Sequence, residues 1–276
     1  MPYPTLITIL RGADRAQVDA AAAAAQAWDA HLQVLCANTE PLDVAVWPTD
    51  AGAALQAAVL QEAEAELEAV EATVAQWLTG RSLRWSTRRL SGFAGQVRGV
   101  AAAVARFADL SILPFPTRQN GTAEVRLLLE TLLFEARLPV LLTARRLDPA
   151  MRRIVIAWDG SPSGLSAARA ALPLLRRADT VDIVMIDPPS HPAETADPGA
   201  ELATFLQRHG VPAEITMLPR TLPRISEVLV RHARDTDADL IVMGAYGHSR
   251  LREAVFGGVT RDMIGGDGQI PVLLAH

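Results

Sequence analysis

The chain has 276 residues, half of them hydrophobic, and a formal net charge of −5. That length allows one large or two modest domains with a sizeable core, and the acidic balance lacks the basic stripe of a nucleic-acid binder. One cysteine, Cys36, excludes an internal disulfide or a multi-cysteine metal site. All 26 basic residues are arginine, which excludes a Walker A loop, a kinase-type lysine and a Schiff-base lysine together.

In chain order, Leu6 to Leu10 reads as a strand and the alanine-rich Ala16 to Trp28 as a helix. Leu32 to Cys36 is a second strand, in which Cys36 reads as a small buried hydrophobe. Ala53 to Leu78 is a long amphipathic helix with Leu55, Val59, Leu67, Val70 and Val74 on its inward face. Leu83 to Arg88 is a strand, Gln96 to Phe107 a helix and Leu110 to Phe115 a strand. Ala123 to Ala136 is a helix and Pro139 to Thr143 a strand. The same order then repeats. Arg153 to Trp158 is a strand, followed by Asp159-Gly160-Ser161-Pro162, where Ser161 suits an N-cap and Pro162 the first helical position. The helix runs to about Arg177. Val181 to Ile186 and Ala213 to Leu218 are strands flanking a helix around Leu202 to His209. Ile225, Val228, Leu229 and His232 mark a helix over Ile225 to Asp235. Leu240 to Met243 is a strand, Val259 to Ile264 a helix and Pro271 to Leu274 a last strand.

Two echoes support an internal repeat. Ala108-Asp109-Leu110 matches Ala238-Asp239-Leu240, and Leu138-Pro139-Val140 matches Ile270-Pro271-Val272. The junction falls between Leu147 and Met151, giving domains 1–148 and 149–276. Strict alternation of strand and helix, with continuous apolar strands, predicts an α/β fold. Each domain is expected to be a five-stranded parallel sheet with helices on both faces, in the manner of Rossmann-like folds. No stretch approaches the ~18 apolar residues of a membrane span, and Met1-Pro-Tyr-Pro lacks the pattern of a signal peptide. A soluble, cytoplasmic protein without membrane or nucleic-acid partners is expected.

The chemistry concentrates near the C-terminus. Leu240-Ile-Val-Met243-Gly244-Ala-Tyr-Gly247 is a strand feeding a glycine loop, and Gly257-Gly258-Val259 opens the next helix. Glycines let backbone approach a ligand, and helix N-termini offer unpaired N–H groups to anions. The plain alternative is two loop turns and a helix start with no ligand. Asp159 likewise is either a turn residue or an acceptor for an adenine amino group or a ribose hydroxyl. His248, Arg250 and Arg252 follow the loop, near phosphate or on a solvated face. Gly247-His-Ser249-Arg-Leu251 is not a nucleophile elbow, because Leu251 stands where glycine is required. The six histidines show no metal-binding spacing.

The pairing of Ile156-Ala-Trp-Asp159-Gly-Ser with Gly244-x2-Gly247-x9-Gly257 resembles the universal stress protein family, as two tandem domains across the whole chain. The resemblance implies a stress-response protein that binds ATP or another adenine nucleotide in its second domain. It implies a sensor or switch rather than an enzyme, with slow ATP hydrolysis at most, and Mg²⁺ entering only with the phosphates. Asp159 and the backbone of Ile186 would face adenine or ribose. Met243, Gly244 and Gly247 would line the nucleotide, and Gly257, Gly258 and Val259 would hold the phosphates. Domains of the family pair through their last strands, so Pro139 to Thr143 and Pro271 to Leu274 are expected to pair within the chain. A homodimer would be a further level of assembly.

Two departures stand out. The family's Ser or Thr after the last motif glycine is Gly258 here, so one hydroxyl donor is lost; Thr260 lies two residues on. The first half has Arg11-Gly12 in place of Asp159-Gly160, and Pro114-Phe-Pro-Thr117 in place of Gly244-Ala-Tyr-Gly247. It has Val125 and Arg126 near the place of Gly257-Gly258. The first half is therefore expected to bind no nucleotide in the same way. The other class of function open to the chain is a protein-interaction or chaperone-like module with an empty, vestigial site.

Overall fold

A computed structural model describes residues 2–40, 50–116, 122–143, 147–187, 198–246, 258–265 and 270–276. The first half runs β1 (Thr5–Leu10), α1 (Arg15–Trp28), β2 (His31–Glu40), α2 (Asp50–Leu78), β3 (Arg84–Phe93), α3 (Ala94–Ala105), β4 (Leu110–Pro114), α4 (Thr122–Glu130) and β5 (Val140–Thr143). The second runs β6 (Arg153–Ala157), α5 (Pro162–Leu175), β7 (Thr180–Ile186), α6 (Pro198–Arg208), β8 (Glu214–Leu218), α7 (Ile225–Asp235), β9 (Leu240–Gly244), α8 (Gly258–Ile264) and β10 (Val272–Ala275).

The ten strands form one sheet in the order β3-β2-β1-β4-β5-β10-β9-β6-β7-β8. Within each half all neighbours are parallel. The halves join where β5 and β10 pair antiparallel, with Val272 opposite Leu142 and Leu274 opposite Val140. The register makes the repeat explicit. Leu6 pairs with Leu110 as Ile154 pairs with Leu240, so Arg11 is the counterpart of Asp159.

Helices cover both faces because strand side chains alternate. Leu6, Leu10, Ile154 and Ile156 face α1, α2, α5 and α6; Ile7, Ile9 and Val155 face α3, α4, α7 and α8. On the first face Trp28 donates its indole N–H to Pro149 O at 3.1 Å, and the Tyr3 hydroxyl donates to Ala170 O at 2.7 Å. The two rings lie 5.6 Å apart. Cys36 is fully buried in β2, and its thiol is pushed up to about 11, by burial first, with Glu71 adding and Arg89 opposing. No described helix is long and apolar enough to cross a membrane.

Three local features differ from simple periodicity. β2 and β3 each run to ten residues, because their ladder continues unbroken to Glu40 opposite Phe93. The helix expected through Ala136 ends as α4 at Glu130 and continues as a π-helical turn, Thr131–Glu135, closed by Ala136 N–H donating to Thr131 O at 3.0 Å. His232, at an apolar-spaced position of α7, bonds Asp182 Oδ2 of β7 through Nε2 at 2.7 Å. Asp182 Oδ1 is buried and has no hydrogen-bond partner among the described residues.

That last pair gives a stability test. His232→Ala leaves a largely buried carboxylate without its partner, an expected loss of about 1–3 kcal/mol. The double variant Asp182→Val, His232→Leu should recover most of the loss in urea unfolding, because neither polar group is then stranded. A double variant as unstable as the single would contradict this role.

Candidate functional site

In an open α/β sheet, ligands bind beyond the C-terminal strand ends where strand order reverses. In the second half that point lies between β6 and β9, since β7 and β8 extend from β6 in one direction and β9 and β10 in the other. After β6 the chain turns at Asp159 and Gly160, the latter at φ +75°. Asp159 Oδ1 accepts from Ser161 N–H at 3.0 Å, which fixes the turn. Ser161 then caps α5, its Oγ accepting from Gly164 N–H at 3.0 Å, with Pro162 at the first helical position. Capping of this kind contributes roughly 1 kcal/mol.

Two glycines let this helix start reach β9. A Cβ on Gly244 would lie 2.5 Å from Gly164 N and 2.7 Å from Ser163. A Cβ on Gly164 would lie 3.2 Å from Asp159 Oδ1 and from the Trp158 ring. The start of α5 thus approaches both Asp159 and the end of β9, with backbone where side chains would otherwise intervene. Ser161 and Ser163 are buried, their hydroxyls 3.1 Å apart.

Of the residues expected to form the site, Asp159, Ile186, Met243, Gly244, Gly258 and Val259 are described; Gly247 and Gly257 lie outside the described residues. Asp159 is exposed at the end of β6, and Ile186 is half-buried at the end of neighbouring β7. Met243 is 5% exposed and packs in the core under α7 and α8, so its side chain is a core element. Gly258 begins α8, and a Cβ there meets nothing within 4 Å. Val259 is half-buried against the same core as Met243. Thr260 is buried, and its Oγ1 accepts from Tyr246 N–H at 3.4 Å. Its hydroxyl is therefore turned to the segment after β9. Gly164 is the residue that sequence reasoning missed. The available signal was a glycine in a first helical turn, a position where glycine is otherwise unfavourable.

The corresponding crevice of the first half is built differently. Pro114 ends β4 where Gly244 ends β9, opposite Thr143 as Gly244 is opposite Ala275. Gln17 occupies the third position of α1, as Gly164 does in α5, and its Nε2 donates to Thr8 Oγ1 and to Ile9 O. Arg11 pairs with Glu124 in the first turn of α4 at 3.1 Å. A cavity of about 670 Å³ remains, lined by Arg11, Asp14, Gln17, Pro114, Glu124 and other residues. Its charged pair, rather than an acceptor and open backbone, faces any ligand.

The chain is similar to several known proteins. The family model described as "Universal stress protein family" matches residues 151–276. A universal stress protein of Synechocystis sp. is 28% identical over 143 residues, covering 49% of this chain. The chain spans only 46% of that relative's length. A universal-stress-like protein of Pseudomonas aeruginosa UCBPP-PA14 has the same fold, at 18% identity and a TM-score of 0.56. That match covers 99% of this chain and 93% of the other. A functionally unknown protein of Pseudomonas aeruginosa PAO1 also shares the fold, at 17% identity and a TM-score of 0.52, over 99% and 92% of the two chains.

The glycine contacts predict a contrast. Gly244→Ala forces α5 away from β9 and should cost about 1–3 kcal/mol in denaturant unfolding, as overpacking does. Gly258→Ala faces open space and should be neutral or slightly stabilising. Equal effects of the two would show that the Gly244–Gly164 approach is not a constraint.

Proposed function

We propose that this chain, which belongs to the universal stress protein family in a tandem, two-domain form, binds one adenine nucleotide in its second half. The nucleotide is ATP, with Mg²⁺ on its phosphates. The observation that carries the reading is the close approach of Gly164 to both Asp159 and Gly244. It sets a carboxylate beside two closely packed backbone segments, at the point where such sheets bind ligands. Asp159 and the Ile186 backbone take the adenine and ribose side. Gly244 and Gly247 line the nucleotide, and Gly257, Gly258 and Val259 hold its phosphates. Met243 contributes through its place in the core beneath.

The protein acts as a sensor or switch in the stress response, in the cytoplasm, and neither nucleic acid nor membrane is its partner. No residue is assigned as a general base, so any ATPase activity is slow. The second reading, an interaction module with an empty site, draws on Gly258, which supplies no hydroxyl where the family pattern places one.

Thermal denaturation with ATP-Mg²⁺ tests the choice. A ligand at 100 times its Kd adds roughly 2.7 kcal/mol of stability. Asp159→Ala should remove most of the shift. Gly258→Ser has room for its side chain, and restores a hydrogen bond to charged phosphate worth about 1.5–3 kcal/mol. It should tighten binding about tenfold or more. Wild-type and Gly258→Ser chains that both fail to shift at millimolar ATP would refute nucleotide binding and leave the interaction module.

A further inference from the structure

The two residues after β9, Ala245 and Tyr246, lead directly into Gly247 of the glycine motif. Tyr246 sits at φ +63°, a left-handed conformation that a bulky residue keeps only when its surroundings over-determine it. Those surroundings come from both halves. Ala245 N–H donates to Ala275 O at 2.8 Å, and His276 Nδ1 bonds Ala245 O at 3.0 Å. Thr260 accepts from Tyr246 N–H. The Tyr246 ring packs on Phe134 of the first half, with centroids 4.6 Å apart and planes at 58°. Phe134 also meets the His276 ring edge-on at 4.6 Å. The Tyr246 phenol is held well above its usual titration range, by burial first, then by Glu130, against the opposing effect of Arg126. Glu130 and Arg126 both lie on α4 of the first half.

Phe134 owes its position to the π-helical turn, which interrupts α4 one residue after Glu130. Such turns recur at functional sites. The brace is one-directional. In the loop after β4, Pro116 stands where Tyr246 stands after β9. Proline cannot take a left-handed φ, and it offers no aromatic ring. Phe115 beside it instead lines a cavity of about 490 Å³ with Val230, Met263 and Ile270 of the second half.

We propose that Phe134 is a positioning residue for the second-half site: the first half fixes the Ala245–Tyr246 turn, and through it the end of β9 at Gly244, where it meets the start of α5. The first half is therefore a working part of the site it does not itself contain. The link to affinity rests on the nucleotide reading above; the brace itself does not.

The test uses the full chain and two readouts. The first is ATP-Mg²⁺ affinity. Phe134→Ala should weaken it tenfold or more, and Phe134→Tyr, which keeps the ring, should restore it. The second is hydrogen exchange without nucleotide. Phe134→Ala should speed exchange of the Tyr246 amide at least tenfold and leave the β5–β10 amides unchanged. If Phe134→Ala fails to fold, Phe134→Leu, which keeps apolar bulk without the ring, takes its place against Phe134→Tyr. Nucleotide bound by wild type and equally by the ring-less variant, with unchanged exchange, overturns the proposal and leaves the nucleotide reading standing. A wild type that binds no nucleotide overturns that reading instead. Exchange at Tyr246 then decides the brace alone, faster exchange supporting it and unchanged exchange overturning it.

Discussion

The antiparallel pairing of β5 with β10 is the contact on which the rest of the architecture depends. Val140, Leu141 and Leu142 meet Leu274, Leu273 and Val272, and all six side chains are buried. Burying each contributes roughly 1.5–3 kcal/mol, and the backbone groups of both edges find partners that water would otherwise supply. Without this ladder each half would end in an open, apolar strand edge, a template for unwanted association. With it, two sheets become one, and the exposed edges move out to β3 and β8. Tyr3 and Trp28 lock the same junction on the opposite face through Ala170 and Pro149.

The pairing also explains how two similar halves come to different ends. Their strands keep the same register, so Arg11 occupies the place of Asp159 and Pro114 that of Gly244. What differs is the chemistry at those equivalent points. One crevice has a carboxylate, two facing glycines and backbone. The other has an arginine paired to Glu124 and a glutamine tied into its wall. An exposed pair such as Arg11–Glu124 adds at most about 1 kcal/mol to stability, so its main consequence is for what the crevice can accept. Antiparallel joining then sets the α4 end of the first half against the end of β9. Phe134 of the first half thereby packs on Tyr246 of the second.

Much of this was legible in the sequence because it is local. Alternation of apolar strands and amphipathic helices fixed the class of fold and the order of elements. Ser161 and Pro162 announced the start of α5, and the structure shows the cap in place. The parts that escaped depend on distant partners. Gly164 reads as an ordinary helical glycine until Gly244 is placed against it. Met243 reads as a wall of the crevice beside Gly244, but strand alternation turns its side chain into the core. His232 counts as an apolar-face residue by spacing, and only the β7 register reveals Asp182 beneath it. Nothing local to Phe134 or Tyr246 signals that they meet, because that contact exists only once β5 and β10 have paired.

Native mass spectrometry of the full chain with ATP-Mg²⁺ measures the central claim directly, because it counts nucleotides per chain. The account requires one adenine nucleotide on the wild type and none once Asp159 carries the residue of its first-half counterpart, Asp159→Arg. Two nucleotides per chain, or one that persists in Asp159→Arg, would place binding outside the second-half crevice and contradict the account.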